Sequence, residues 1–567
     1  MRHDRGVRVA VVAQPAGGGA WQPLADDGTP SGTPSVVDDL AVAVRDLEAR
    51  SGPRWVLPSA AAYAHLVRRG VRMSRSHDVT LTRALLDSGT AGWHPPASTV
   101  EAPSGPSVMP GQQSLFDATG AAAPAGPREE LAATVAEHAE QLRRTATLAA
   151  TRTGFPLLVA AESAAGLAAV EMGAAGLPWD GDVHDEVLTR ALGPRPPPGA
   201  RPAVLDALAA EVAAGLDDPR LNPDSQADVL RSLRRAGLPV TSTRRHELRA
   251  LLARHPHPAL EPLLAYRELA RLHAAHGWAW REQWVTGGRF HPEYVPGGVV
   301  SGRWATRGGG ALQIPRAVRA AVVAPPGRVL VVADAGQLEP RVLAALSGDP
   351  GMIEATREGD LYTALARQAL GTRGGDGARG GDDPRAQMKL ALLSAMYGGG
   401  AGSPALVALR RRFPGALALL EDAAGTGEAG GSVVSVLGRM SPPARDGWLD
   451  GLSEEAAAGR RRAYGRFTRN FVVQASAADW AGVLLAGLRT RLATLAPDLE
   501  PAPGGPLARL VFFQHDEVVV ECSAGLADEV VEAVGTAGTE ATRLVLGDHG
   551  VHVPLAAVAV RSYAEKP

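Results

Sequence analysis

Apolar residues follow two spacings along this chain, and the alternation between them divides it. Residues 7–14 (Val-Arg-Val-Ala-Val-Val-Ala-Gln) are an apolar run that predicts a strand, with a glycine turn and a second short strand near Trp21 behind it. Helical spacing follows at 38–50 and 59–70. Further on, it predicts helices at 128–150, 203–216, 225–236, 244–254 and 258–275. Arginine patches (Arg231, Arg234, Arg235; Arg244, Arg245) decorate these helices. Between the blocks, 93–127 is rich in Pro, Ser, Gly and Ala and reads as a flexible linker. From about residue 290 strand patterns return. Val329–Asp334 is an apolar run that ends in an acid, and Leu510–Glu521 is a second run with Asp516-Glu517 at its middle. No internal repeat is visible.

Composition narrows the class. A chain of 567 residues is too long for one core and implies two to four domains. It is 45% hydrophobic but only 4% aromatic, with a net charge of −2. A near-neutral total leaves nucleic acid open as a partner, because local clustering of charge decides that. The single cysteine, Cys522, excludes an intrachain disulfide framework and a cysteine zinc site, and it fits a reducing, cytoplasmic setting. No uninterrupted apolar run is long enough to cross a bilayer, and the Met-Arg-His-Asp-Arg-Gly start lacks the apolar core of a signal peptide, so no membrane partner is expected.

Carboxylates and one cation carry the candidate chemistry. Asp334, alone, reads most simply as a strand-end acid capping the next helix. Asp516 and Glu517, following His515, lie either within a strand or in a tight turn between two strands with the acids at its tip. Acids on adjacent strand tips would suit Mg²⁺, and paired metals held this way drive in-line phosphoryl displacement. Lys389 is one of only two lysines in the chain. An ammonium binds phosphate and can also give up a proton, whereas a guanidinium stays protonated. Arg385, Lys389, Leu393 and Tyr397 recur every fourth residue behind Pro384 and ahead of Gly398, so they share one broad helix face. Leu390, Ala391, Leu392, Ala395 and Met396 supply the apolar side, so the helix should be buried on one side and offer its cations to an anion. Arg462–Gln474 is a basic helix interleaved with aromatics, suited to a nucleic-acid backbone.

In this order the segments resemble the polymerase half of DNA polymerase family A, the DNA polymerase I family, over roughly 165–567. Asp334…Gln337-Leu-Glu339-Pro-Arg341 resembles its first motif, Arg385-x3-Lys389-x7-Tyr397-Gly398 its second, and His515-Asp516-Glu517 its third. Ser301-Gly302-Arg303…Leu312-Gln313-Ile314-Pro315 resembles the run entering the palm. Val170-Glu171-Met172, Leu221-Asn222-Pro223 and Leu264–Ala270 resemble the thumb. The whole chain is similar to short bacterial polymerases of the bifunctional 3′–5′ exonuclease/polymerase type.

The resemblance implies an α+β right-hand polymerase with an antiparallel palm sheet and helical fingers and thumb. It adds an N-terminal RNase H-like domain of exonuclease type. The implied division is an exonuclease-like domain 1–92, linker 93–127, helical connection 128–164, thumb 165–290, palm 291–350, fingers 351–440 and palm again 441–567. Asp334, Asp516 and the Ala335 carbonyl would hold two Mg²⁺ (Mn²⁺ as an alternative), with Glu517 near the primer end. Arg385 and Lys389 would grip the triphosphate of a dNTP, Lys389 also as proton donor. Gln337, Glu339, Tyr362, Leu393 and Tyr397 would shape the nucleotide site, with Glu339 excluding a 2′-hydroxyl. Arg303, Gln313, Arg466, Asn470, Gln474 and His515 would contact primer-template DNA. A monomer working at the nucleoid is implied, in repair or gap filling.

Departures matter. Leu393 stands where the family usually has Phe or Tyr facing the nucleotide, so a stacking surface is missing. Tyr362 stands where it often has His, and Ala335-Gly336 replaces Tyr-Ser. The first strand carries no Asp-x-Glu, and Asp46-Leu-Glu48 has that spacing but lies in a helical pattern. Asp78 lies in a segment that resembles a structural part of the exonuclease domain. Proofreading is therefore expected to be lost, and no 5′-nuclease domain is expected ahead of it. Gln112-Gln-Ser-Leu115-Phe116, in the linker, resembles the Gln-x-x-Leu-Phe peptide that docks on the bacterial sliding clamp. A catalytically dead DNA-binding relative is the alternative reading. A single-subunit RNA polymerase is disfavoured by Glu339 and His515-Asp516-Glu517.

Overall fold

A computed structural model of the protein describes residues 7–89, 92–93, 126–307, 310, 314–371, 383–399, 403–495 and 507–566. The chain forms two compact units, Met1–Ala175 with Glu293–Arg307 and Gly327–Val560, and Gly176–Pro292 with Gly308–Pro326 and Arg561–Pro567.

The first unit contains a five-stranded and a four-stranded sheet. The five-stranded sheet has β1 (Arg8–Ala13), β2 (Gly19–Leu24), β3 (Ser35–Val37), β4 (Arg54–Leu57) and β5 (Arg75–Asp78) in the order β3-β2-β1-β4-β5. β1 pairs antiparallel with β2 and parallel with β4, and β4 pairs parallel with β5. Strand β1 is apolar on both faces because both are covered. Val9 and Val11 join a core with α1 (Leu40–Ser51), α2 (Ala61–Arg68) and Leu167, while Ala10 and Val12 join Leu131 and Val135 on the other side.

Three acids in this region have structural tasks. Asp46 pairs with Arg50 one helical turn away, on the surface. Glu48 accepts from Trp55 Nε1 at 2.5 Å and from the Ser74 amide at 3.0 Å. Asp78 caps α3 (Val79–Asp87), accepting from the Leu81 amide at 2.9 Å and the Ala60 amide at 2.6 Å. Burial pushes its carboxyl up to about 7.

Helices α4 (Pro127–Ala149) and α5 (Phe155–Ala175) follow. The boundary expected between 164 and 165 falls inside α5, a continuous helix whose inner residues are buried. Both α5 and the long Glu454–Thr494 helix have the length and apolarity of a bilayer span, which the sequence reading had not expected. Most of each such stretch is buried within the protein, as in core helices. Trp93 lies within the expected linker, yet it is buried. Its amide donates to the Pro443 carbonyl at 2.7 Å, and its ring packs 4.6 Å from Tyr464. An indole has too much apolar surface to leave in water beside such a cluster.

The four-stranded sheet is antiparallel. Its strands β6 (Arg328–Ala335), β7 (Ala508–Gln514), β8 (Glu517–Ser523) and β9 (Leu555–Val560) lie in the order β7-β8-β6-β9. Leu510–Glu521 is thus two strands, not one. His515-Asp516 is the turn between them, so of the two arrangements open to the sequence the turn is the one found.

The second unit is mostly helical. Helices Ala203–Gly215, Gln226–Arg235, Arg245–Arg254 and Leu260–His276 enclose a leucine–valine core that includes Val212, Leu233, Leu248 and Leu263. Much of its arginine decoration is paired within the unit: Arg231 with Asp228, Arg235 with Asp218, and Arg245 with Glu268.

One buried pair makes the first unit acid-sensitive. The His77 and His138 rings meet edge-on at 4.4 Å, and His77 Nε2 lies 2.8 Å from Gln141 Oε1. Neither His138 nitrogen has a partner among the described residues. Burial, with Arg8 and Arg54 nearby, pushes His77 down to about 4 and His138 to about 2. Above the ordinary histidine value both states are neutral and nothing is lost. Below it only the unfolded chain takes protons, so stability falls with pH by about 1 kcal/mol per histidine at pH 5.5. His138→Leu is expected to flatten the fall in melting temperature between pH 6.5 and 4.5. An unchanged slope would remove the pair as its cause.

Candidate active site

Strand register places the acids. Asp334 sits at the end of β6, opposite Glu517 on β8 and Ala556 on β9. The Ala335 amide donates to the Asp516 carbonyl at 3.1 Å, which fastens the end of β6 to the β7–β8 turn. Asp334 and Asp516 are half-buried and Glu517 is buried. Desolvation first, and then the Asp334 charge, push the Asp516 carboxyl up to about 7. Asp334 does not cap the helix behind it, contrary to the simple reading. The N-cap of α6 (Leu338–Ser347) is Gln337, which makes no side-chain cap bond.

Strained backbone brackets the pair. Among the described residues three non-glycine positions have positive φ, and two of them, Gln337 (56°) and His515 (58°), follow β6 and β7. Such residues cost roughly 1–2 kcal/mol each and persist where surrounding contacts fix them. The Gln337 side chain is fixed at both ends: its oxygen accepts from the Leu361 amide at 2.8 Å, and its nitrogen donates to Asp360 at 3.2 Å.

The cations come from another helix. Asp383 caps α8 (Pro384–Tyr397), accepting from the Arg385 amide at 3.0 Å, and Gly398 ends it at φ 76°. The helix α7 (Leu361–Leu370) runs before it, with Asp360 as its cap. Met388, Ala391, Leu392, Ala395 and Met396 are buried, while Arg385, Lys389 and Tyr397 are exposed. Leu390, expected among the buried residues, is 69% exposed, because it projects beside Lys389 rather than toward the core. Arg385 donates through Nε and Nη2 to one Asp360 oxygen, at 2.9 and 2.7 Å. The Tyr362 ring lies 5.8 Å from the Arg385 guanidinium and 5.9 Å from Lys389 Nζ.

A cleft of about 290 Å³ gathers Arg303, Gln337, Glu339, Tyr362, Leu393, His515 and Asp516. Glu339 is its hub: it pairs with Arg303 and accepts from the Tyr397 hydroxyl at 2.8 Å. Burial, then the Glu339 charge, push the Tyr397 phenol up to about 12. Desolvation and Arg303 hold His515 below its ordinary value. Beside the cleft the long helix α9 (Glu454–Thr494) carries Arg466, Asn470 and Gln474 at four-residue steps. Gln474 accepts from the Ser301 hydroxyl at 2.7 Å, Asn470 Oδ1 has no partner among the described residues, and Arg466 is exposed beside Gly398. Gln313, Gln112, Leu115 and Phe116 lie outside the described residues.

Two residues have structural tasks that the sequence motifs did not assign. Asp360 holds Arg385 and Gln337 together. Arg341 is fully buried and donates to the carbonyls of Gly336, Thr356, Glu358, Gly359 and His552. Burial pushes its guanidinium down to about 10. The N-cap position of Asp360 is a local signal, but its ties to Arg385 and Gln337, like the partners of Arg341, run across loops.

The acid pair offers oxygen donors only, as Mg²⁺ prefers. A divalent cation between Asp334 and Asp516 would reverse the repulsion that raises Asp516. Among the described residues no group of three or more His, Cys, Asp or Glu converges as a metal cage. The two carboxylates would therefore leave coordination positions for water and ligand phosphate.

Comparison with known proteins shows the family and the fold. The DNA polymerase family A profile matches residues 220–560. DNA polymerase I of Chloroflexus aurantiacus is 28% identical over 323 residues, 53% of this chain and 32% of that protein. The thermostable DNA polymerase I of Thermus thermophilus is 28% identical over 319 residues, 50% of this chain and 35% of that one. The matched region thus spans about a third of these relatives' length. Among solved structures, the POL domain of Pol1 from M. smegmatis, in complex with DNA primer-template and dNTP, superposes with a TM-score of 0.70. It covers 99% of this chain and 96% of its own at 22% identity, a likeness of fold.

The raised Asp516 pKa has a measurable consequence. A cation must displace the proton, so Mn²⁺ affinity, read by electron paramagnetic resonance, is expected to fall toward tenfold per pH unit below about 7. Asp516→Asn is expected to weaken binding and remove that dependence. A wild-type affinity flat between pH 5 and 7 would contradict it.

Proposed function

The chain belongs to DNA polymerase family A, and we propose that it extends a primer 3′ end with deoxynucleotides on a DNA template. The observation that carries this reading is the placement of Asp334 and Asp516 at neighbouring strand ends, with Asp516 lining a cleft whose Tyr362 wall stands against Arg385 and Lys389.

Asp334, Asp516 and the Ala335 carbonyl would hold two Mg²⁺, which supply charge neutralisation for phosphoryl transfer when bound. Arg385 grips the triphosphate after exchanging its Asp360 partner for phosphate oxygens. Lys389 adds a compact charge and can give a proton to the leaving pyrophosphate. Glu339, held by Arg303 and Tyr397, forms the floor under the sugar and excludes a 2′-hydroxyl. Arg303 and Gln474 read the minor groove of the new pair. The runner-up, a DNA-binding protein without activity, leaves the retained carboxylates without a purpose.

Proofreading is proposed to be absent. β1 carries no acid, Asp46 pairs with Arg50 on α1, Glu48 is held by Trp55 and the Ser74 amide, and Asp78 is a helix cap. The mixed order β3-β2-β1-β4-β5 supports an RNase H-like domain that has kept its frame. A role in gap filling or repair is proposed on that basis. The clamp-like peptide Gln112–Phe116 lies between two fixed points, Trp93 and the start of α4. It is proposed to tether the enzyme to a sliding clamp.

Primer extension with dNTPs and Mg²⁺ tests the central reading. Asp334→Ala is expected to lower the rate at least about a hundredfold, on the scale of losing one preorganised charge, with primer-template affinity retained. Binding without extension by the wild-type chain would favour the inactive reading. For the tether, Leu115→Ala/Phe116→Ala is expected to abolish co-purification with a bacterial clamp, and retained co-purification would refute it.

A further inference from the structure

A buried ionic triad lies directly under the loop that presents Arg303. Arg439, 6% exposed, donates from Nη2 to Glu162 at 2.9 Å and from Nε to Asp479 at 3.4 Å. The three residues come from separate elements: Glu162 from α5, Asp479 from α9, and Arg439 from the tight turn Ser435–Arg439. That turn is itself tied to α9. The Leu437 amide donates to Asp479 at 3.2 Å and the Val436 amide to the Ser476 hydroxyl at 2.9 Å. Removing charges from water into such a site is costly, and replacing a buried ion pair by apolar residues is often neutral or stabilising. Stability alone therefore gives a weak account of the triad.

The Gly297–Arg303 loop supplies a second account. A Cβ on Gly302 would lie 2.5 Å from the Arg439 guanidinium, and one on Gly297 would run into the Glu162 carboxylate. Both glycines have positive φ, 84° and 61°. Backbone thus rests on the triad at two points, at distances only glycine allows. From the far side Gln474 holds the Ser301 hydroxyl. Arg303, directly after Gly302, reaches Glu339, which in turn holds Tyr397 of α8.

We propose that Glu162, Arg439 and Asp479 are positioning residues that set the height of the Gly297–Arg303 loop and so aim Arg303 at Glu339 and at the DNA. The proposal rests on the polymerase reading only for its last link. A flat, rigid ionic surface suits this task, because the planar guanidinium is pinned by two carboxylates and cannot rotate away.

Two variants perturb the contact differently. Gly302→Ala presses a methyl against the guanidinium but keeps all three charges, and Arg439→Met removes the guanidinium while keeping bulk. Each is made in the full chain with Arg303 present and with Arg303→Ala. Gly302→Ala is expected to speed amide exchange in 298–303 at least tenfold and to weaken primer-template binding at least tenfold, with a melting temperature lowered by the left-handed backbone at 302 but still a cooperative transition. In the Arg303→Ala background it is expected to add no further loss of binding. Arg439→Met, the more disruptive change, is expected to show the same dependence on Arg303 among molecules that remain folded. Equal losses in both backgrounds would make the triad merely structural, and unchanged exchange in both variants would overturn the proposal outright. Failure of the wild type to extend primers, with exchange still accelerated by Gly302→Ala, would sink the polymerase reading and leave the positioning of the loop standing.

Discussion

The register between β6 and β8 is the constraint on which the site depends. Seven consecutive residue pairs, from Arg328 with Ser523 to Asp334 with Glu517, fix where each strand ends. A slip of one residue would turn the whole set of side chains to the opposite face. At the upper end the register brings Asp334 and Asp516 together, where desolvation and the Asp334 charge raise Asp516. At the lower end the same strand carries Glu521, fully buried, and here Arg328 at 2.5 Å and Arg509 at 3.2 Å neutralise it. One sheet therefore carries a fully buried glutamate paired with two arginines at one end and the candidate metal acids at the other.

Charge also organises the groups around the acids. Glu339 and Asp360 each collect partners from segments remote in sequence, and each holds a cation that the proposed chemistry needs free to engage a substrate. Arg341 has a different character. With five backbone carbonyls and no carboxylate, it ties the end of β6 to the 356–359 turn and to His552. That anchoring explains how Gln337 keeps a left-handed backbone directly after the strand. The triad under Gly302 extends the pattern to a third segment.

Much of the fold was legible because it rests on local regularities. The strand expected at 7–14 is β1, and the expected helices in the second unit form with ends shifted by about one or two residues, as fraying allows. The four-residue spacing of Arg385, Lys389 and Tyr397 did put them on one exposed face. The failures share a cause. Leu390 was assigned to the core from its apolarity, and Trp93 to a linker from its neighbours' composition, but burial depends on what lies opposite. The tight turn at His515-Asp516 was one of two possibilities, since a left-handed histidine has no sequence signature.

By itself, then, the sequence determined which elements form, which carboxylates and cations end them, and the family they resemble, because helix and strand periodicity and motif spacing are properties of contiguous residues. Only the tertiary structure decided whom those charges meet. Arg385 finds Asp360 at a separation of 25 residues, Arg303 finds Glu339 at 36, Tyr397 finds Glu339 at 58, and Arg439 finds Glu162 at 277. Each meeting requires sheet register and helix packing to be in place first. The strength of an ion pair depends on distance and burial, and neither is written along a chain.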